Sequence, residues 1–358
     1  MKVLTIIGAR PQFIKAAPLS KKFSKNNIHE ILVHTGQHYS RNMSHIFFDE
    51  LEMAQPHYNL GIGSFTHGKQ TGRMIEKIEK TLFIEKPDVV IVYGDTNSTL
   101  AGAIAASKIN IPVSHIEAGL RSFNMKMAEE QNRIMTDHLS SLLFTPTKEA
   151  NKNLLKENID QKKIIFSGDI MLDAVNIFYD LAKKRSKIID ILNLNETKFC
   201  LLTIHRAENT NDVGNLKILF NNLVKIRHEY KIIFPIHPRT KKILGKNLMN
   251  ECTKKGIQFI EPIGYLDMLM LQKKSSIIIT DSGGIQKEAF FSKVPCIVIR
   301  EETEWVELIK FGYNKICKKE NFNEIDSMIY SMINISISKS NIFGNGDAAK
   351  KIFERIIS

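Results

Sequence analysis

Seven short apolar, strand-like runs each end abruptly at polar or charged residues. They lie in the stretches LTIIGARPQ, ILVHTGQH, VVIVYGDTNST, PVSHIEAGLRS, CLLTIHRAENT, IIFPIHPRT and SIIITDSGGIQKEA. Helical stretches separate the runs nearly throughout, and this alternation predicts parallel sheets with right-handed crossovers. Ligands of such open sheets bind beyond the carboxyl ends of the strands, so the residues there are predicted to line one cleft. Those residues are Arg10, His38, Asp95, Glu117, His205, His237 and Asp281.

The predicted strands form two successive series, which indicates two domains. The first series covers residues 3–7, 31–34, 89–93, 112–116, 142–145 and 164–167, and the second covers 199–204, 232–236, 258–260, 277–280 and 296–299. A chain of 358 residues also exceeds what a single core usually fills. We expect Rossmann-like domains at 1–168 and 169–342, joined near Gly168. A terminal helix at about 343–358, capped by Asp347, is expected to pack back onto the first domain.

Composition limits the partners and the compartment. Lys and Arg number 50 against 38 Asp and Glu, a formal net charge of +12, which attracts anions of many kinds. The basic residues lie in short mixed stretches typical of solvated helix ends and loops, so no nucleic-acid partner is expected. The four cysteines form no CxxC pair, which favours a reducing compartment without disulfides or zinc. With no signal-peptide pattern and no apolar run of roughly 20 residues, a cytoplasmic protein without membrane contact is expected.

The turn GARPQFIK after the first strand is a candidate anion site. Gly8 permits a tight bend there, and Pro11 suits the first position of a helix whose free N–H groups face the cleft. Arg10 and Lys15 add positive charge. The alternative is an ordinary structural turn with solvated basic residues, although basic residues near a helix start oppose the helix dipole.

The stretch TDSGGIQKEA is a second candidate site for phosphate. Ser282, Gly283 and Gly284 allow a ligand to approach the backbone amides of the following helix, and Glu288 one turn later suits two vicinal ribose hydroxyls. The alternative is a plain capped helix. The chain has no GxxxxGK[ST] and no GxGxxG after its first strand, which disfavours a P-loop NTPase and a nicotinamide dehydrogenase.

Carboxylates near three element ends are candidate acid–base groups. Asp95 and Glu117 each follow a predicted strand, and Glu129 with Glu130 begins the stretch EEQNRIMTDH. Carboxylates that converge on one cleft repel each other, which prepares one of them for proton transfer near neutral pH. An acidic residue in the first turn of a helix is favourable in any case, and for Glu130 we prefer that interpretation.

Histidines at strand ends are candidate phosphate ligands. His205 and His237 each follow an apolar strand of the second series, where they suit hydrogen bonds to phosphate oxygens. No HxxxH or HxE spacing on one face supports a metal site, so none is predicted.

Taken in order, the motifs resemble those of the non-hydrolysing UDP-N-acetylglucosamine 2-epimerase family. They are GARPQFIK, HTGQHY, YGDTNSTLAG, HIEAGLRS, EEQNRIMTDH, HRAENT, HPRT, TDSGGIQKEA and TEWVEL, and they cover nearly the whole chain. The resemblance implies the two-domain GT-B architecture, with the active site in the cleft between the domains. It also implies a homodimer, no cofactor, and a role in surface polysaccharide biosynthesis.

The resemblance further implies the reaction and the residues that perform it. UDP leaves C1 as the C2 proton is removed, a 2-acetamidoglucal forms, and UDP adds back with a proton delivered to the other face of C2. By matching positions, the catalytic residues would be Asp95, Glu117, Glu129 and His205. The substrate-binding residues would be Arg10, Lys15, Arg133, His237, Ser282, Gly283, Gly284 and Glu288.

Departures from the usual family motifs leave the substrate open. Gln12 stands in RPQ where RPE is usual, Ala128 replaces the proline before the EE pair, and TEWVE replaces TERPE. These details and the loop RSFNM resemble the branch that acts on UDP-2,3-diacetamido-2,3-dideoxy-glucuronate. For a uronate, Arg121 or Lys126 would supply a cation, unless both are merely solvated loop charges. From other classes, a GT-B glycosyltransferase or a non-catalytic UDP-sugar sensor stays an alternative.

Overall fold

The computed structural model describes residues 1–37, 48–335, 337 and 341–358. These residues form two compact units, Met1–Ile177 with Ser340–Ser358 and Phe178–Lys339. Each unit is built on one parallel sheet with helices, as the sequence predicts. His38, which the sequence places at a strand end, lies outside the described residues.

The first unit contains a seven-stranded parallel sheet in the order β3-β2-β1-β4-β5-β6-β7. Its strands are β1 Lys2–Ile7, β2 His29–His34, β3 Tyr58–Asn59, β4 Val89–Tyr93, β5 Val113–Ile116, β6 Leu142–Thr145 and β7 Ile164–Phe166. Its helices are α1 Arg10–Lys25, α2 His67–Glu85, α3 Asn97–Lys108, α4 Ala128–Leu139, α5 Lys148–Lys156 and the start of α6 Ile170–Arg185.

The central strands are apolar on both faces because helices cover the sheet on both sides. All five residues of β4 are buried. Helix α3 is rich in alanine and lies close to the sheet, so that a side chain added at Gly102 would meet Ile6 and Val92. A strand end in this sheet is therefore held by close packing on both sides.

The second unit repeats the arrangement with a six-stranded parallel sheet in the order β10-β9-β8-β11-β12-β13. Its strands are β8 Phe199–Thr203, β9 Lys231–Pro235, β10 Ile257–Ile260, β11 Ile277–Thr280, β12 Cys296–Val298 and β13 Asn314–Ile316. Its helices after α6 are α7 Ile188–Ile191, α8 Ala207–Thr210, α9 Val213–Leu223, α10 Pro238–Lys255 with a break at Gly245, α11 Tyr265–Lys274, α12 Gly283–Ser292, α13 Val306–Lys310 and α14 Ile325–Ile333.

Both sheets reverse their strand order at one point. In the first sheet this switch point lies between β1 and β4, and in the second between β8 and β11. Open α/β sheets bind ligands beyond the carboxyl ends of the strands at such points. The candidate residues Arg10 and Asp95 follow the strands at the first switch point, and His205 and Asp281 follow those at the second.

The C-terminal helix α15, Ala348–Ile357, packs against α1 of the first unit, with the Phe23 and Phe353 rings 5.9 Å apart. The expectation that Asp347 caps this helix is wrong, because its side chain makes no capping hydrogen bond. Instead, Asp173 of α6 accepts hydrogen bonds from the backbone N–H groups of Ala348 and Ala349, at 3.1 and 3.0 Å. A side chain distant in sequence thus supplies the cap. No helix within the described ranges is long and apolar enough to cross a bilayer.

Candidate active site

Gln12 organises the turn that begins α1. Its side-chain oxygen accepts hydrogen bonds from the N–H groups of Gly8 and Ala9, at 2.8 and 3.0 Å. Its amide nitrogen donates to the carbonyl oxygen of Tyr93 at 2.8 Å and to the Thr99 hydroxyl at 2.9 Å. The glutamine that replaces the usual glutamate therefore joins the ends of β1 and β4, because an amide donates and accepts at once.

Gly8 has a different role from the predicted one. Its φ does not lie in the left-handed region, whereas a Cβ atom there would overlap the hydroxyl groups of Thr35 and Ser98. Those two hydroxyls are hydrogen-bonded at 2.7 Å. Glycine is needed because of this close approach and not because of a bend.

Lys15 and Glu117 form an ion pair that is largely removed from solvent, since each residue is 8% exposed. Lys15 lies on α1, and Glu117 directly follows β5. Glu117 has a φ of +74°, a left-handed conformation that is unfavourable for a residue with a side chain. Backbone strain of this kind clusters at functional sites. Lys15, which is predicted to bind phosphate, thus contacts Glu117, which is a candidate acid–base group.

Arg133 joins two further carboxylates. Its guanidinium pairs with Asp95 after β4 and, at 2.7 Å, with Glu130 on its own helix α4. Glu130 is fully buried and also accepts hydrogen bonds from the backbone N–H groups of Ser122 and Phe123. Glu130 lies in the first turn of α4, as the preferred interpretation has it, and it also holds the loop before α4 in place.

The ends of β4 and β5 bring Asp95 and Glu117 into one region of the first unit. A side chain added at Gly94 would lie 3.2 Å from the Glu117 carboxylate and 3.4 Å from the Lys15 ammonium group. Each of the two carboxylates is paired with a cation, so their mutual repulsion is offset. Glu129 is exposed in the first turn of α4, and its predicted catalytic role stays a prediction.

Arg121 is a buried structural residue. It is 3% exposed and binds Glu157 through two nitrogens, both at 2.6 Å. A further nitrogen lies 2.8 Å from Asp137. Neither predicted role, a uronate ligand or a solvated loop charge, fits this environment. Lys126 is exposed.

In the second unit, His205 follows β8 and lies beside Asp281, which follows β11. The Asp281 carboxylate is fully buried and accepts hydrogen bonds from the N–H groups of His205 and Arg206 and from the Asn209 amide. Burial favours a raised pKa, but the contact with His205 outweighs it and holds the pKa of Asp281 below its usual range. Asp281 is therefore an anion that fixes the loop carrying His205.

His237 begins helix α10. Its Nδ1 atom accepts a hydrogen bond from the Arg239 N–H at 3.2 Å, and its ring centre lies 5.7 Å from that of His205. The second unit thus brings the two predicted phosphate-binding histidines together. They come from the ends of the neighbouring strands β8 and β9.

The turn after β11 forms the start of helix α12. Ser282 is the N-cap residue, and its hydroxyl makes no capping hydrogen bond. A Cβ atom at Gly283 would overlap the carboxylate of Glu304, which pairs with Arg300 at 2.8 Å. A Cβ atom at Gly284 would only touch the Ser282 hydroxyl, at 4.0 Å. A carboxylate of the chain itself thus approaches the helix end where an anion is predicted to bind.

Trp305 and Glu288 are both buried at helix α12. Trp305 is 2% exposed, and the ammonium group of Lys287 on α12 lies 4.1 Å from the centre of its ring. Glu288, the predicted ribose ligand, is 5% exposed, and one of its carboxylate oxygens accepts a 2.6 Å hydrogen bond from Gln272. The tryptophan of TEWVE is therefore part of the packing of α12.

Metal-ligating residues do not cluster in the part of the chain that the structure describes: no group of three or more His, Cys, Asp or Glu side chains there is arranged to hold a metal ion. Cys200 and Cys296 are free thiols without solvent exposure, as expected for small apolar residues inside strands.

Comparison with known proteins gives matches along the chain. The family model described as UDP-N-acetylglucosamine 2-epimerase matches residues 21–357. A protein of Methanococcus maripaludis named UDP-N-acetylglucosamine 2-epimerase homolog is 50% identical over 357 residues, which cover 99% of each chain. The UDP-2,3-diacetamido-2,3-dideoxy-D-glucuronate 2-epimerase of Pseudomonas aeruginosa is 45% identical, with 99% of each chain covered. The crystal structure of the Methanocaldococcus jannaschii UDP-GlcNAc 2-epimerase in complex with UDP-GlcNAc and UDP has a TM-score of 0.92 at 45% identity, covering 100% of this chain and 99% of that one.

The fold and the two sites define the class of protein. It is an α/β protein with two doubly wound parallel sheets, of the kind found in GT-B proteins, and polar groups lie at both switch points. The chain belongs to the UDP-N-acetylglucosamine 2-epimerase family, and it is an isomerase.

Proposed function

We propose that the chain interconverts UDP-N-acetylglucosamine and UDP-N-acetylmannosamine by inverting C2 of the sugar. The observation that carries the proposal is the adjacent placement of Asp95 and Glu117 at the ends of β4 and β5, each paired with a cation. A glycosyltransferase or a sensor of UDP-sugars has no need of such a pair. Family membership and the relatives named as 2-epimerases support the same function.

The reaction balances without a redox partner. A carboxylate removes the C2 proton, and the electron pair of that bond forms the C1–C2 double bond of a 2-acetamidoglucal. The bond between C1 and the diphosphate oxygen breaks, and its electron pair leaves with UDP. In the return step UDP attacks C1, and C2 takes a proton on the opposite face. Lys15 and Arg133 support these steps, because their ion pairs hold the two carboxylates in position.

The leaving diphosphate needs hydrogen-bond donors. We assign that role to Arg10, His205, His237 and the start of helix α12 at Ser282, Gly283 and Gly284. Preorganised donors of this kind contribute on the order of 3 kcal/mol each where water is excluded. Glu288 is assigned to the ribose hydroxyls, with one of its oxygens already engaged by Gln272. The shared interdomain cleft and the acid–base role of Glu129 stay predictions.

A second candidate substrate is UDP-2,3-diacetamido-2,3-dideoxy-glucuronate, because a relative named for it is as similar as those named for UDP-N-acetylglucosamine. Arg121 does not serve its carboxylate, since its guanidinium is committed to Glu157 and Asp137. Of the two cations predicted for the uronate carboxylate, Lys126 remains a candidate, and it is exposed.

Proton NMR of the purified protein in D2O tests the proposal. With UDP-N-acetylglucosamine we expect loss of the C2 proton signal by exchange and a new manno anomeric signal. Turnover of the diacetamido-glucuronate alone would shift the assignment to the second substrate, and Lys126→Ala should then raise its KM. Exchange with neither sugar would contradict the proposed function.

The assembly and the compartment are proposed as a homodimer in the cytoplasm, serving polysaccharide synthesis. The resemblance supports the dimer and the pathway, and the free buried thiols suit a reducing compartment. Sedimentation equilibrium tests the dimer, and a monomer at micromolar concentration would contradict it.

A further inference from the structure

His115 is fully buried in strand β5, and both nitrogens of its ring lie at hydrogen-bond distance from oxygen atoms. Nδ1 is 2.7 Å from a carboxylate oxygen of Asp137 on α4, and Nε2 is 2.7 Å from the carbonyl oxygen of Gly94 after β4. The ring thus connects three elements of the first unit. None of the roles assigned above to site residues uses this side chain.

The two oxygens decide the protonation state of the ring. A carbonyl oxygen only accepts hydrogen bonds, so Nε2 must carry a proton to bind Gly94. The second carboxylate oxygen of Asp137 accepts from the Gly119 N–H at 3.2 Å and lies 2.8 Å from Arg121. Burial favours a raised pKa for Asp137, but its contacts with His115 and Arg121 outweigh burial and lower that pKa. The Gly119 N–H and the Arg121 guanidinium hold the second oxygen as an acceptor, so the proton between Asp137 and the ring lies on Nδ1.

Charges around the ring balance. The cations His115 and Arg121 face the anions Asp137 and Glu157, and Glu157 binds Arg121 through both of its oxygens. His138 approaches Glu157 from the solvent side at 3.4 Å, with about half of its side chain exposed. A buried ion network of this kind is costly to break by removal of one member, because the remaining charge is left uncompensated.

The network touches the backbone on both sides of the candidate carboxylates. Gly94, which receives the His115 hydrogen bond, directly precedes Asp95. Gly119, which donates to Asp137, lies two residues after Glu117. Both glycines and Glu117 itself have positive φ, so these turns are held in conformations that most residues avoid.

We propose that His115 is a doubly protonated imidazolium that, together with Asp137, acts as a positioning unit for Asp95 and Glu117. It fixes the turn after β4 against the turn after β5, and so sets the distance and direction of the two carboxylates. The catalytic part of this inference rests on the proposed epimerase function. The protonation part rests on the geometry of the ring and on the contacts of Asp137.

The first arm of the test is NMR of the wild-type protein labelled with 15N in its histidine rings. We expect two ring N–H protons for His115, because each ring nitrogen lies 2.7 Å from an oxygen atom that accepts a hydrogen bond. His138, with about half of its side chain exposed, is the reference for a ring that is not enclosed between two such oxygens. His115→Gln identifies the signals. A single ring N–H on His115 would overturn the proposal.

The second arm measures turnover of UDP-N-acetylglucosamine and binding of UDP. A small displacement of reacting groups costs on the order of 10²-fold in rate. We therefore expect His115→Gln and Asp137→Asn to lower kcat by about that factor while KM changes less than about threefold. UDP affinity, measured by calorimetry, should be unchanged. The control His138→Gln removes the exposed neighbour of the same network and should keep kcat.

The outcomes separate the two proposals. A folded His115→Gln variant with wild-type kcat, or equal losses in UDP affinity and kcat, would overturn the positioning role. If both variants fail to fold, the count of ring N–H protons in the wild type decides whether His115 is a doubly protonated imidazolium. If the wild-type protein turns over no UDP-sugar, the epimerase function fails, and the same count still decides whether His115 is the imidazolium described here.

Discussion

His205 and Asp281 form a carboxylate–histidine pair at the switch point of the second sheet, with Nδ1 3.1 Å from a carboxylate oxygen. The aspartate is without solvent exposure, whereas 42% of the histidine side chain is exposed. Because Asp281 also accepts the backbone N–H of His205, it fixes both the loop and the ring. Nδ1 then carries the proton of this hydrogen bond, because a carboxylate only accepts.

Asp281→Asn should slow turnover through its effect on His205. An amide in place of the carboxylate no longer selects the ring tautomer. Since one preorganised donor to a leaving oxyanion contributes about 10²–10³-fold, we expect Asp281→Asn to lower kcat by roughly 10²-fold and His205→Ala to lower it at least as far. Steady-state kinetics measure both.

A double-mutant cycle separates this effect from loss of structure. If Asp281 acts through His205, the substitution Asp281→Asn should have little further effect on kcat in a His205→Gln background. Additive losses would show that the carboxylate serves the backbone N–H groups of His205 and Arg206 instead. Wild-type kinetics for His205→Ala would remove His205 from the mechanism.

Trp305→Arg should destabilise the second unit. This change restores the residue usual in the family motif, but it places a second cation beside the buried ammonium group of Lys287, which is 1% exposed. An uncompensated buried charge costs about 3–5 kcal/mol. Urea denaturation should show a loss of this order in the free energy of unfolding. Trp305→Phe, which keeps an aromatic ring, should lose only about 1 kcal/mol.

The double variant Trp305→Arg with Lys287→Met is the control for charge repulsion. It should recover most of the stability, because methionine fills similar space without a charge. Failure to recover would mean that the arginine is excluded by its shape.

Gly8→Ala should destabilise the first unit, because the added methyl group overlaps the hydroxyls of Thr35 and Ser98. Overpacking of this kind costs about 1–3 kcal/mol. Gly72→Ala is the matched control, since Gly72 lies inside helix α2 with open space around it and should be neutral or stabilising by up to about 1 kcal/mol. Equal effects of the two changes in thermal unfolding would contradict this interpretation.

Asp173 should make stability depend on pH in the direction opposite to an ordinary salt-bridged carboxylate. Burial raises its pKa from 3.8 to about 6, against the hydrogen bonds from Ala349 and Ala348 that lower it. The folded state therefore binds the proton more tightly than the unfolded state. The contribution of Asp173 is most favourable below about pH 4 and falls as the pH rises to about 6, by at most about 3 kcal/mol.

Denaturation of the wild type and of Asp173→Asn over this pH range isolates the effect. The wild-type free energy of unfolding minus that of the variant should fall from about pH 4 to about pH 6 and then level off. Other carboxylates, such as Asp137 and Asp281 with their lowered pKa values, cancel in the difference. A difference that rises with pH would contradict the burial argument.

Sequence patterns predicted the central strands well and the sheet edges poorly. Every predicted strand is present with small changes at its ends, because central strands of parallel sheets are apolar on both faces and form continuous runs. The strands Tyr58–Asn59 and Asn314–Ile316 were not predicted. Both are short, lie at sheet edges and contain polar residues, so they leave no apolar run to detect.

The buried ion networks could be predicted only in part. Histidine inside the apolar run PVSHI was a signal for a buried polar partner, but the sequence gives no indication that the partner is Asp137. Likewise, Arg121 lies in a polar loop motif and is nevertheless buried against Glu157. Such pairs depend on which helix crosses which strand, and that is a property of the assembled unit.

The sequence by itself determined the two parallel α/β units and the residues that follow each strand, because local apolar patterning decides where a strand begins and ends. Only the tertiary structure decided which charges meet: Lys15 with Glu117, Arg133 with Asp95, and Asp173 with the start of α15. The physical reason is that strand order and helix packing bring together residues far apart in the chain. Burial makes each partner necessary, because a buried charge without an opposite charge or a hydrogen bond destabilises the folded state.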